Sequence, residues 1–238
     1  PVIGILTLPL SNWLGDNIAL DSRRAKSYLP AAYVRWIENS GARVVPIQYT
    51  ATPPIIKSYL AQINGVIICG DISPINYASM DKNTQIDMEV IRWAKTEFII
   101  YQWAKKQNNM GNYFPLLGIG MGYEELMFMT LMPKYYIKLT NSKNAMNFSA
   151  EQIPSDEMTK AADSYTATPF KLTDTPGIFG ELEEKDKKLF SSNKVCYTTP
   201  GWALNSKGKK MGKIKECVEI NSIARNEQLK TTYINAYS

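Results

Sequence analysis

Residues 112–131 read NYFPLLGIGMGYEELMFMTL, and the parsing of that stretch decides the fold. Phe114, Pro115, Leu116 and Leu117 form an apolar run of the length of a buried strand. Gly118, Gly120 and Gly122 follow at alternate positions, and from Tyr123 the apolar pattern takes on helical length. Strand, tight glycine turn and helix make up the geometry of a nucleophile elbow. The turn needs small residues, because its backbone enters conformations in which a Cβ would clash. The apex of such a turn ordinarily carries Ser or Cys. Here it reads Ile119-Gly120-Met121, and none of the three side chains can attack a carbonyl.

Working outward, the preceding chain alternates strands and helices. Val2 to Thr7 is a buried-strand run. A helix is expected over 28–39, with Pro30 in its first turn and Ser40-Gly41 closing it. Strands follow at 44–47 and 66–69, with a short helix over 53–62 between them. The longest helix is expected over 84–106, on the stripe Ile86, Val90, Ile91, Ala94, Phe98 and Tyr101. Trp93, Phe98, Tyr101 and Trp103 on it read as core with one exposed edge. This order implies a largely parallel sheet with helices on both faces: an α/β three-layer sandwich of flavodoxin-like type. After Pro133 the pattern loosens. Short strands are expected at 135–139, 145–148, 194–199 and 214–220, with weak β character over 230–238. A loop-rich stretch spans 149–174, and a charged helix spans 180–190. No repeat or low-complexity linker appears, so residues 1–238 read as one domain.

The 238 residues are 45% hydrophobic and 21% charged, ordinary values for a globular chain. The net charge of +5 is scattered, which does not suggest nucleic-acid binding. The local cluster KGKKMGKIK at 207–215 reads as a solvated loop, with docking to an acidic partner or membrane surface as the alternative. Three cysteines are too few for a disulfide framework: Cys69 reads as a buried thiol, while Cys196 and Cys217 are left open as a pair. No apolar run reaches membrane-spanning length. The first residue is Pro1 rather than Met, so a removed leader is allowed for. The sequence contains no histidine, which removes the usual general base, activator of Ser or Cys, and metal ligand. Hydrolysis would have to run on Lys, Asp or Glu. No cofactor or metal site is expected.

Five segments carry a resemblance: PVIGILT at 1–7, AAYVRWIENSGARVVPI at 31–47, INGVIICGD at 63–71, NYFPLLGIGMGYEEL at 112–126 and MNFS at 146–149. In this order they resemble gamma-glutamyl hydrolases, peptidase family C26, within the class I glutamine-amidotransferase-like fold; a looser match continues through LFSSNKVCYTT at 189–199. The resemblance implies a Cys nucleophile in the elbow, a His base near the chain end, and release of gamma-linked glutamate from folate polyglutamates or similar peptides. Carried over by position, the nucleophile falls on Gly120 and the histidine on Ala236. The oxyanion and elbow region falls on Cys69, Gly70, Asp71, Met121 and Gly122. A carboxylate at Asp71 would oppose developing negative charge.

The remaining chemistry has bland readings beside it. Cys69 as a substitute nucleophile lacks an imidazole, and Asp71 nearby would raise its pKa, so a structural thiol is the default. The Gly118, Gly120, Gly122 series as a phosphate loop has the wrong spacing, and Glu124 and Glu125 in the first helical turn would repel phosphate while complementing the helix dipole. Glu124 as a general base stands against that same helix-end role. Asn147-Phe148-Ser149 fits the glycosylation pattern only along the secretory route.

The sequence therefore leads to the expectation of a protein that is not an enzyme: an inactive gamma-glutamyl-hydrolase-like scaffold serving as accessory subunit of a larger protein complex, touching membranes only through its partners. The alternative is a gamma-glutamyl peptide hydrolase or binder with a non-standard site. The compartment is left between the mitochondrion, for a subunit, and the secretory or lysosomal lumen, which the resemblance implies.

Overall fold

The structure is a computed structural model. It describes residues 1–10, 27–70, 88–131, 158–162, 166–168, 170–172, 179–193, 196–198, 201–204, 207, 220–226 and 231–237. The chain divides into two compact units, Pro1–Ala150 and Glu151–Ser238.

The first unit is built on four parallel strands, β1 (Val2–Leu6), β4 (Arg43–Ile47), β5 (Gly65–Gly70) and β6 (Leu116–Gly120), in the order β4-β1-β5-β6. Strands β2 (Leu8–Pro9) and β3 (Ser27–Tyr28) form a small antiparallel pair beside it. Every residue of β5 is buried, as expected of a central parallel strand covered on both faces, and this explains its unbroken apolar run. The mostly parallel sheet with its helices is the α/β architecture expected from the sequence.

Among the described residues of this unit the helices are α1 (Ala31–Asn39), α2 (Pro53–Leu60), α3 (Met88–Asn109) and α4 (Met121–Leu131). Successive side chains of a strand point to opposite faces, and β5 uses both. Ile67 and Cys69 join Ile5 and Ile37 of α1 in one apolar cluster. Ile68, between them, packs against Gly122 of α4. Helices α1 and α4 therefore cover opposite faces. The core includes Ile56 and Leu60 of α2 and Val90, Ile91, Trp93, Ala94 and Ile100 of α3, with Trp93 fully enclosed.

Several boundaries differ from those expected. Pro30 precedes α1 as its N-cap, where the extended conformation needed (φ −63°, ψ 122°) matches the φ its ring imposes, and the chain just before it is strand β3. Within α1, Ile37 is buried but Trp36 is 49% exposed, so that face is narrower than its apolar residues suggest. Helix α3 runs on to Asn109. It ends at Gly111, whose φ of +80° is natural for the residue past a helix terminus. Asn108 then clamps the start of the next strand: its Nδ2 donates to the Phe114 carbonyl, and its Oδ1 accepts from the Phe114 amide, both at 2.9 Å. Strand β6 begins at Leu116, later than expected, and runs through two of the three glycines.

The second unit is antiparallel. Strand β7 (Met158–Ala162) pairs with β11 (Gly201–Leu204), and β8 (Thr166–Thr168) pairs with β10 (Cys196–Thr198). Strands β9 (Phe170–Leu172), β12 (Ile220–Asn226) and β13 (Thr231–Tyr237) form a three-stranded sheet in the order β13-β12-β9. The loop expected over 149–174 is corrected by β7, β8 and β9. Their Thr-rich sequences lack long apolar runs, but they gain partners distant in the chain. Helix α5 (Glu184–Ser192) packs on β9, and the rings of Phe179 and Phe190 lie 6.4 Å apart. The strands expected at 135–139 and 145–148 lie outside the described residues.

Candidate functional site

The elbow forms as a direct junction of β6 and α4, with Gly120 the last residue of the strand and Met121 the first of the helix. Gly120 has φ of +61°, a left-handed conformation that L side chains adopt only at a cost, and it pairs in register with Gly70 at the end of β5. A Cβ at Gly120 would meet only the Gly70 carbonyl oxygen, at 3.5 Å, an ordinary contact. The flanking glycines serve a different need. A Cβ on Gly118 would lie 2.5 Å from the Gly122 carbonyl oxygen, and one on Gly122 would collide with the Ile68 carbonyl. Helix α4 thus rests directly on the backbones of β5 and β6. Its first turn is brought to the carboxyl edge of the sheet, where parallel α/β folds bind their ligands. A helix beginning there points backbone N–H groups outward from that edge.

The sequence-predicted residues are only partly brought together. Gly70, Gly120, Met121 and Gly122 gather at the β5–β6 edge. Cys69 pairs in register with Ile119 and is completely buried, on the α1 side of the sheet among Ile5, Ile37 and Ile67. Its thiol therefore lies on the opposite face from α4. Ala236 sits in β13 of the second unit, paired with Ser222. Asp71, Cys217 and Asn147 lie outside the described residues. Glu125 on α4 is completely buried, as is Glu97 on α3; both make interactions inside the protein. Among the described residues there is no cluster of three or more His, Cys, Asp or Glu able to hold a metal, and no helix long and apolar enough to cross a membrane. A shallow depression of about 510 Å³ in the second unit is lined by Leu172, Glu184, Lys187, Lys188 and Ser191, none of them a predicted site residue.

One polar network at the same sheet edge was missed. Thr7 follows β1 and Tyr49 lies just past β4. The Tyr49 amide donates to Thr7 Oγ1 (3.1 Å), and Thr96 Oγ1 on α3 donates to the Tyr49 carbonyl (2.7 Å). The Tyr49 hydroxyl donates to Glu89 Oε2 (2.6 Å), and Glu89 Oε1 lies 3.0 Å from Arg92 Nη1. Thr7, Tyr49 and Thr96 are all buried. The available signal was positional, since residues just beyond the carboxyl ends of parallel strands face the ligand edge.

The Peptidase C26 family model matches residues 1–172, well over half of the chain and all of the elbow. The chain belongs to the Peptidase C26 family. Among curated relatives, gamma-glutamyl hydrolase B of Dictyostelium discoideum is 34% identical over 149 residues, covering 63% of this chain and 37% of that protein. Human gamma-glutamyl hydrolase is 29% identical over 129 residues, covering 54% of this chain and 35% of that protein. The Glycine max gamma-glutamyl hydrolase is 27% identical over 221 residues, covering 81% and 58%. The chain thus spans between about a third and three fifths of the length of these relatives. The Peptidase C26 match corrects the expectation that the protein is not an enzyme. The family is one of peptidases, and these relatives carry hydrolase names. That expectation rested on missing side chains, whereas the elbow's backbone, with the amides it presents, is intact.

Proposed function

We propose that this chain is a gamma-glutamyl peptide hydrolase with a non-standard site at the carboxyl edge of β5 and β6. The observation that carries the reading is the left-handed turn at Gly120, which places the α4 amide groups at the sheet edge of a Peptidase C26 domain. Backbone N–H groups aimed outward from a helix start favour the negative charge that develops on a carbonyl oxygen during attack. Gly120 supplies no thiol, and the Cys69 thiol is enclosed on the far face, so no acyl-enzyme forms at either position. Water then adds to the gamma-carbonyl directly. Its proton passes to a carboxylate or a lysine, because the chain contains no imidazole, and the amide C–N bond breaks with the proton delivered to the departing amine.

The test is incubation of the protein with a gamma-glutamyl oligopeptide and quantification of released glutamate, before and after complete thiol alkylation and in Cys69→Ala. Release that survives both treatments is expected. Release abolished by alkylation would replace the water mechanism with a thiol one. Neither release nor saturable binding of the peptide would end the reading.

A further inference from the structure

We propose that the attacking water is held on the side-chain side of Gly120, hydrogen-bonded to the Gly70 carbonyl, so that the missing Cβ is part of the mechanism. The inference rests on the hydrolase reading above and locates the nucleophile of that reaction. Gly118 and Gly122 are kept small by packing. A Cβ on the first would lie 2.5 Å from the Gly122 carbonyl oxygen, and one on the second 2.9 Å from Ile68 Cγ2. No such obstacle stands at Gly120: among the described residues an added Cβ would meet only the Gly70 carbonyl oxygen, at 3.5 Å. Its φ of +61° is costly for other residues but not closed to them, and nucleophile elbows carry a side chain in this strained turn. Packing does not dictate glycine at the apex, and conformation only favours it.

The group that faces this space is an acceptor. Gly70 ends β5, a strand buried along its whole length, and pairs in register with Gly120. Its carbonyl is therefore fixed by the sheet. A carbonyl oxygen has two lone pairs, so a bond within the ladder leaves one for a further donor. Gly120 itself is exposed, so solvent reaches the apex. A water bonded to the Gly70 oxygen stands about 2.8 Å from it. A methyl on Gly120 would compete with that water for one place. In the reaction the water donates one hydrogen to Gly70, which orients it without taking a proton, since a peptide carbonyl is no base at neutral pH. The water oxygen bonds to the gamma-carbonyl carbon, and its other hydrogen leaves as a proton to the carboxylate or lysine. The C–N bond then breaks, with a proton delivered to the departing amine.

The experiment compares wild type, Gly120→Ala and Gly111→Ala in glutamate release from a gamma-glutamyl oligopeptide, peptide binding by calorimetry, and urea unfolding. Gly111 controls for backbone strain: it too is left-handed, with φ of +80°, and an added Cβ meets nothing within 4 Å. It precedes β6, whereas the elbow follows it. Both variants should lose stability to a similar extent. Gly120→Ala should lower kcat about a hundredfold, the cost of misplacing a reacting group by about 1 Å, with peptide affinity unchanged. Gly111→Ala should keep the wild-type kcat. A Gly120→Ala protein with wild-type kcat overturns the assignment while the hydrolase reading stands. So does an equal fall in kcat in both variants, which marks strain, or a loss of peptide affinity in Gly120→Ala, which marks a clash with substrate. Should Gly120→Ala fail to fold, a crystal structure of the wild type decides. An ordered water within hydrogen-bond reach of the Gly70 carbonyl on the Gly120 side is expected; no water there, or a side chain in its place, overturns the assignment. A wild type that neither binds nor cleaves the peptide removes both this assignment and the hydrolase reading.

Discussion

Replacement of Gly122 by alanine tests the direct seating of α4 on the sheet. The added methyl would lie well inside contact distance of the Ile68 carbonyl and 2.9 Å from Ile68 Cγ2. The carbonyl belongs to a fully buried central strand and has no rotamer with which to withdraw, so α4 must lift away. Overpacking of this kind costs roughly 2–3 kcal/mol, at the upper part of the usual range because the obstacle is backbone. Alanine returns at most about 1 kcal/mol through its higher helix propensity. The net loss is about 1–2 kcal/mol, or a fall in Tm of about 2–8 °C for a chain of this size. Gly118→Ala probes the same gap from β6, since its methyl would lie 2.5 Å from the Gly122 carbonyl oxygen. One outward shift of α4 relieves both collisions, so the double variant should lose clearly less than the sum of the two single losses. Glutamate release should fall more steeply than stability, because a displaced helix start moves the elbow amides; a misplacement of about 1 Å costs on the order of a hundredfold in rate. Urea unfolding and the glutamate assay, run on both single variants and the double, provide the measurement. A Gly122→Ala protein as stable as wild type, or strictly additive losses, would refute the close-seating argument.

Other expectations are simpler. Gly111→Ala meets no neighbour within 4 Å but must hold φ of +80°, so it should lose about 1 kcal/mol from backbone strain alone, read by the same urea titration. Cys69→Ser places a hydroxyl among Ile5, Ile37 and Ile67 and should lose about 1–3 kcal/mol, with the native Cys69 thiol resisting alkylating reagents until the protein unfolds. Leu60→Ala, in α2 and 1% exposed, should cost about 2–5 kcal/mol by leaving a cavity in the core, measured by thermal or chemical unfolding.

Much of the first unit was legible because a parallel sheet buried on both faces writes itself as short unbroken apolar runs, of which Gly65–Gly70 is the plainest. The elbow was legible from its three glycines, but their meaning differed from position to position. All three look like turn residues in sequence; Gly118 is strand, kept small by the approach of α4, and only Gly120 needs the left-handed conformation. Strands β7 to β9 were read as loop because their threonines and lysine carry little periodicity. Their identity is set by partners such as β11 and β12, between about 30 and 60 residues away in the chain. The burial of Glu97 and Glu125 was not legible, because carboxylates are rarely enclosed and nothing in their immediate neighbours signals it. The Tyr49 network was hidden for another reason. Its members, Thr7, Tyr49, Glu89, Arg92 and Thr96, come from three places in the chain and meet only once the strands have been ordered.

The turn at Gly120 has a consequence for how this domain can change. The costly part of building an attacking residue at such a corner is the backbone shape, and that shape is already present with open room beside it. A serine or cysteine introduced at this point would inherit a ready-made mounting, at an expense of about 1–2 kcal/mol for its left-handed backbone. Glycine and either of these residues are separated by a single base change in suitable codons. The domain is therefore a starting point from which a covalent mode of catalysis is reachable in one mutational step at the apex, provided a proton acceptor is supplied with it.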